Sequence, residues 1–143
     1  MKKKLILLLL LCINCWSLSM SAKTVEVKSP DGELRIRISI GEGISYSAYS
    51  GKDLLLKDCS VGMKLNTCNF GYEPKLRSLK RVKVNENVMR EITFKRRIVK
   101  NEYNSVQLFF KGNYGVEFRA FNNGFAYRFS SSIKGKVQVC DEN

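Results

Sequence analysis

The chain has 143 residues, with 25 lysines and arginines against 13 aspartates and glutamates and a formal net charge of +12. It contains no histidine, which excludes Ser-His-Asp and Cys-His nucleophile activation and removes the commonest general base. Any chemistry would have to run on carboxylates, lysine or tyrosine.

Lys2, Lys3 and Lys4 form a basic head, and Leu5 to Ile13 is an unbroken apolar run. Ser19 and Ser21 then give the small-x-small pattern that signal peptidase reads, with cleavage before Ala22. The run falls short of the roughly 20 apolar residues that a bilayer span needs, so no stable membrane span is expected. A retained anchor is one alternative. A lipoprotein is another, through Cys12 or Cys15, but Leu11 and Asn14 precede them where a lipobox requires a small residue. Residues 1–21 therefore read as a signal peptide, and the protein as exported, periplasmic or secreted. Without them the net charge falls to +9 and 122 residues remain, enough for one small domain. A domain of that size buries about two-thirds of its unfolded surface. Trp16 leaves with the peptide, and Cys59, Cys68 and Cys140 stay. Cys59 and Cys68 can pair if their strands are adjacent; otherwise all three are small unpaired side chains. With no C-x-x-C and no histidine, a zinc site is not expected.

The rest of the chain is a succession of short strand patterns. Thr24 to Lys28 is strand-like, and Ser29-Pro30-Asp31-Gly32 is a turn. From Glu33 to Ile40 the residues Leu34, Ile36, Ile38 and Ile40 alternate with Arg35, Arg37 and Ser39. Gly41-Glu42-Gly43 turns again. Ile44 to Tyr49 and Asp53 to Leu56 form a hairpin across Ser50-Gly51-Lys52. Strands over Val61 to Leu65, Leu76 to Val84, Val88 to Val99 and Tyr103 to Lys111 follow, with turns at Asn85-Glu86-Asn87, Asn101 and Gly112-Asn113. Val116 to Phe121 and Phe125 to Phe129 form a hairpin around Asn122-Asn123-Gly124. A loop at Asn122-Asn123 sets Glu117 opposite Arg128; a loop at Asn123-Gly124 sets Arg119 opposite Arg128, where like charges are disfavoured. A last strand is expected over Lys134 to Cys140. Short strands separated by polar turns, with no sustained helical period past the signal peptide, predict an all-β chain, an antiparallel β-sandwich.

Three features invite a functional reading. Lys75, Arg77, Lys80, Arg81, Lys83, Arg90, Lys95, Arg96, Arg97 and Lys100 stand against only Glu86 and Glu91 between residues 75 and 100. They suit a phosphate-binding face. They suit better the solvent side of amphipathic strands, because Val88, Ile92, Phe94 and Ile98 share one parity and charges hold the other. An exported protein also rarely meets nucleic acid, so none is expected as a partner. Tyr46, Tyr49, Tyr72, Tyr103, Tyr114 and Tyr127 can stack on sugar faces or pack in the core. Asp53, Asp58, Glu73 and Glu102 lie in or beside expected turns, with no basis for pairing any two as glycosidase chemistry requires.

Several of these pieces, in this order, resemble the start of glycoside hydrolase family 97, exported bacterial α-glucosidases and α-galactosidases. They are Ser29-Pro30-Asp31-Gly32, Ile44-Ser45-Tyr46-Ser47 with Gly51-Lys52 and Leu54-Leu55-Leu56, Ser60-Val61-Gly62-Met63-Lys64-Leu65, and Asn101-Glu102-Tyr103-Asn104. The most specific is the run from Glu117 to Phe129, EFRAFNNGFAYRF. The resemblance implies an N-terminal β-super-sandwich domain over residues 22–143, incomplete at its C-terminal end. It would pack on a (β/α)₈ barrel and help form a site for an α-glucoside or α-galactoside. The family's catalytic carboxylates and most of its calcium ligands belong to the barrel, and its one N-terminal calcium carboxylate is expected beyond Asn143. No catalytic, cofactor-binding or metal residue is therefore assigned here, and calcium is implied only for the full-length enzyme. The alternatives are a standalone exported carbohydrate-binding sandwich and a surface-adhesion β protein. As half of a larger sandwich, the chain is expected to expose Phe118, Phe125 and Phe129, and so to be marginally stable or to self-associate.

Overall fold

A computed structural model of the chain describes residues 22–89, 91 and 98–142. The expected signal peptide over residues 1–21 lies outside these, as do residues 90, 92–97 and 143, and with them Arg90, Lys95, Arg96 and Arg97 of the basic segment. Among the described residues the regular elements are all strands: β1 (Lys23–Lys28), β2 (Leu34–Ile40), β3 (Ile44–Ser50), β4 (Asp53–Val61), β5 (Met63–Leu65), β6 (Asn69–Phe70), β7 (Leu76–Met89), β8 (Ile98–Phe110), β9 (Tyr114–Phe121), β10 (Gly124–Ser131) and β11 (Val139–Glu142). β1 to β4 form one antiparallel sheet in chain order, and β10-β9-β8-β7 form a second. A small third sheet has the order β11-β5-β6.

The apolar parity of each strand explains why the two large sheets face each other. Ile36 and Ile38 on β2, Val106 and Leu108 on β8, and Phe118 and Ala120 on β9 are fully buried. Val25 and Val27 on β1 and Val116 on β9 extend the same layer. The third sheet closes one end of the core. Phe70 of β6 stacks on Tyr114 at 4.4 Å between ring centres, and Tyr114 stacks on Phe110 at 5.0 Å. The β1–β2 turn forms as its Pro-Asp-Gly signal predicts, with Gly32 N–H donating to the Ser29 carbonyl at 3.0 Å. Its Asp31 N–H donates to the Asn122 side chain at 3.2 Å, which ties this turn to the β9–β10 turn.

Several expected elements are corrected. Asn85-Glu86-Asn87 and Asn101 do not turn the chain: they lie within β7 and β8, where Asn85 faces Glu102, Glu86 faces Asn101 and Asn87 faces Lys100. Turn-type residues are tolerated there because this part of the β7–β8 hairpin reaches past the core and is wet on both faces. Val88 to Val99 is not one strand either: Val88 lies in β7 and pairs with Val99 of β8, and residues 90 and 92–97 between them lie outside the described residues. The Asp53–Leu56 strand continues to Val61, the Val61–Leu65 strand breaks at Gly62, and the last strand is Val139–Glu142, beginning after most of the expected Lys134–Cys140 span. Phe118 is not exposed but has no solvent contact, and Phe125 and Phe129 are half-buried. The exposed large apolar side chains lie instead on β4 (Leu54, Leu55, Leu56), along β7 and β8 (Leu79, Val88, Met89, Ile98, Phe109), at Tyr72 and near the C-terminal strand (Val137, Val139). Cys59, Cys68 and Cys140 are free thiols, so the Cys59–Cys68 pairing is not made.

Candidate functional site

The β9–β10 hairpin takes the register with its loop at Asn122-Asn123, so Arg128 faces Glu117 and the Arg119–Arg128 clash is avoided. On β8, Gln107 also faces Glu117. These three residues form a row across the outer face of the second large sheet, and Glu117 is only 6% exposed. Its carboxylate accepts from Arg128 Nε at 2.6 Å, from an Arg119 terminal nitrogen at 3.0 Å and from Gln107 Nε2 at 3.2 Å. The Arg119 guanidinium lies 4.8 Å over the Tyr103 ring. Burial pushes the Glu117 carboxyl upward, but the hydrogen bonds from Arg119 and Gln107, the Arg119 charge and the Arg128 contact outweigh it, so the group titrates below the usual carboxylate range. A carboxylate held ionised by two guanidiniums cannot serve as a general acid at neutral pH; it locks the register of three strands.

Two outcomes follow from that row. Glu117→Ala is expected to cost about 1–3 kcal/mol, since it leaves the part-buried donors of Arg119 and Gln107 without their charged acceptor. The depressed native pKa contributes stability that is complete above the unfolded carboxylate value of about 4.3. That contribution is lost as pH falls through the lower native value. Urea midpoints measured from pH 7 down to pH 3 should therefore converge for the native and Glu117→Ala proteins. A constant gap would contradict the assignment.

The tyrosines separate by environment. Tyr46 packs on Phe118 and Phe125 at 5.8 and 5.4 Å. Tyr127 packs on Phe118 at 5.7 Å, Tyr103 on Phe121 at 5.0 Å, and Tyr114 lies in the Phe70–Phe110 stack. Arg35 and Arg37 cover the Tyr49 ring. Tyr72 alone of the six stands in solvent, 69% exposed. Its loop is pinned. Gly71 N–H donates to the Tyr114 hydroxyl at 3.3 Å, Tyr72 bridges Gly43, and Glu73 N–H donates to the Glu42 carbonyl at 2.9 Å. Gly71 has φ +84°, and a Cβ there would strike the Val61 carbonyl, so only glycine fits. Glu73, not a glycine, holds φ +42°, a strained conformation that the pinning contacts maintain.

The acids named from sequence are dispersed. The Asp58 carboxylate accepts from the Ser47 hydroxyl at 3.1 Å, and Glu102, mid-strand in β8 rather than beside a turn, pairs with Lys100. Asp53 begins β4. No group of three His, Cys, Asp or Glu among the described residues could hold a metal ion. Among its described residues the basic segment forms no single face. On β7, Lys80 points to one side and Arg81 and Lys83 to the other by parity, and Arg81 donates to the Glu26 carbonyl.

Comparison with known proteins gives this fold a family. The family described as Glycosyl-hydrolase 97 N-terminal matches residues 27–143. A retaining alpha-galactosidase of Bacteroides thetaiotaomicron is 33% identical over 135 residues, covering 94% of this chain and 20% of its own length. A glycoside hydrolase family 97 enzyme from Pseudoalteromonas sp. strain K8, solved in complex with acarbose, superposes with a TM-score of 0.72 at 22% identity over 82% of this chain and 19% of its own. A beta-arabinopyranosidase superposes with a TM-score of 0.74 at 24% identity, with 82% and 20% covered. The chain thus spans about one-fifth of the length of these relatives. It belongs to the family of glycoside hydrolase 97 N-terminal domains, the β-sandwich unit of family 97 enzymes.

Proposed function

We propose that the sandwich is the non-catalytic N-terminal domain of an exported α-glycosidase, where it packs on the catalytic barrel and helps wall the site for an α-glucoside or α-galactoside. One observation carries the packing role. β4 is the edge of its sheet, and Leu54, Leu55 and Leu56 in succession are 49%, 55% and 40% exposed. The ladder to β3 shifts register at Leu55, between the Leu54–Tyr49 and Leu56–Ala48 pairs, and the three leucines form one apolar run along this edge. The register shifts and the charges of Asp53, Lys57 and Asp58 blunt backbone pairing along β4, as water-facing edges require, but they leave the leucine side chains uncovered. A leucine edge of this kind is built to be covered. The relatives supply the sugar class: one acts as a retaining alpha-galactosidase, and another binds acarbose.

The chain purified by itself is expected to self-associate with rising concentration through that edge, and Leu55→Lys is expected to shift it toward monomer. Sedimentation velocity decides the matter; a monomer at all concentrations, unaltered by Leu55→Lys, would remove the covered-edge argument. Export has its own test. N-terminal sequencing of protein from the periplasmic or secreted fraction is expected to begin at Ala22. A retained Met1, or a lipid on Cys12 or Cys15, would overturn soluble export.

A further inference from the structure

We propose that the cleft beside Tyr72 is a carbohydrate-binding site on the sandwich itself, separate from any site formed with a barrel, and that it takes a pyranose unit of an α-glucan. Tyr72 lines three adjoining clefts, the one that concerns us having a volume of about 330 Å³. A pyranose with equatorial hydroxyls presents a flat C–H face, which an aromatic ring in water covers well. An exposed ring normally costs ordering entropy when it binds. Here the loop bears that cost in advance, because Gly71, Tyr72 and Glu73 are each pinned through the backbone.

The second half of the site is a polar row. In the small sheet Asp141 of β11 faces Lys64 of β5, and Lys64 faces Asn69 of β6. Directly opposed residues share a face, and all three line the same cleft as Tyr72. The row offers a carboxylate, an ammonium and an amide side by side, the acceptor and donor set that neighbouring hydroxyls require. Among the described residues none takes the Lys64 ammonium or the Asn69 amide. One Asp141 oxygen accepts from Glu142 N–H at 3.0 Å and the other is open. Few polar groups beside an aromatic wall, in a preformed concavity, is the composition of a small-ligand site.

The choice of an α-glucan rests on the proposed function above; the cleft rests on its own residues. The site is shallow and its polar groups are exposed, so a dissociation constant of about 1 mM is expected. The test is a titration of isotope-labelled mature chain with maltoheptaose, followed by amide shifts and repeated with variants. The native chain should show saturable shifts at Asn69, Gly71 and Tyr72. Tyr72→Ala should weaken binding by about tenfold or more and Asn69→Ala several-fold, whereas Tyr72→Phe keeps the ring and should bind nearly as well. Thermal midpoints should be unaltered, because the replaced side chains face solvent. Absence of saturable shifts in the native chain, or equal binding by Tyr72→Ala, overturns the site. Neither result touches the leucine edge or the activity of the chain, so the two proposals fail separately.

Discussion

Phe118→Ala is expected to cost about 3–5 kcal/mol, the range for emptying a buried aromatic position. Phe118 is fully buried, and its ring packs on Tyr46 and Tyr127 at 5.8 and 5.7 Å. It lies on β9, the strand flanked by β8 and β10, opposite Val106 and Tyr127. Ladders on both sides hold the backbone, so the sheet cannot collapse into the space. A domain of this size has a total stability of about 5–15 kcal/mol. The substitution therefore removes a large fraction of it and is expected to leave part of the population unfolded at 37 °C. Urea unfolding followed by far-ultraviolet circular dichroism measures the loss. A midpoint within experimental scatter of the native chain would show that Phe118 is not central to the core.

Much of this core was legible in the sequence. Leu34, Ile36, Ile38 and Ile40 alternate with polar neighbours, and alternation on a sheet has one physical reading. The turn at Ser29 to Gly32 was legible for another reason, since Gly32 takes a φ of +82° that few residue types tolerate; the hairpin at Asn122-Asn123, which needs no positive φ, was legible from the alternating strands on either side of it. Charge even favoured the observed register, since the other one opposes two arginines. The β7–β8 hairpin was misread because Asn-Glu-Asn is turn chemistry by local preference. Pairing with Glu102, Asn101 and Lys100 overrides that preference in a ribbon where no core demands apolar residues. The small third sheet was only partly visible, because strands of two to four residues are too short to carry a period.

The candidate sites divide in the same manner. Glu117 was visible as a potential partner of Arg128, but its burial was not, because its cover comes from Arg119 and Gln107 on the same face. Tyr72 was one of six equivalent tyrosines. Its exposure is decided by a backbone that turns at Gly71 and Glu73, and a non-glycine residue at positive φ leaves no mark in composition. Asp53 to Leu56 was legible as half of a hairpin, but the exposure of Leu54, Leu55 and Leu56 was not, because it follows from β4 standing at the edge of its sheet.

The claim that this domain is not catalytic by itself is tested most directly by glycosidase assay. Hydrolysis needs a carboxylic acid and a second carboxylate flanking the bond, and loss of one such group costs about 10²–10⁴ in rate. Glu117 is ionised and occupied by two arginines. Glu42 and Glu73 line one cleft, but both are exposed to water. Purified mature chain, produced in a host lacking α-glycosidases, is expected to release no nitrophenol from nitrophenyl α-glucoside or α-galactoside, with or without calcium. Turnover that follows the protein through purification and is abolished by Glu42→Gln or Glu73→Gln would contradict the account and assign the chemistry to the sandwich.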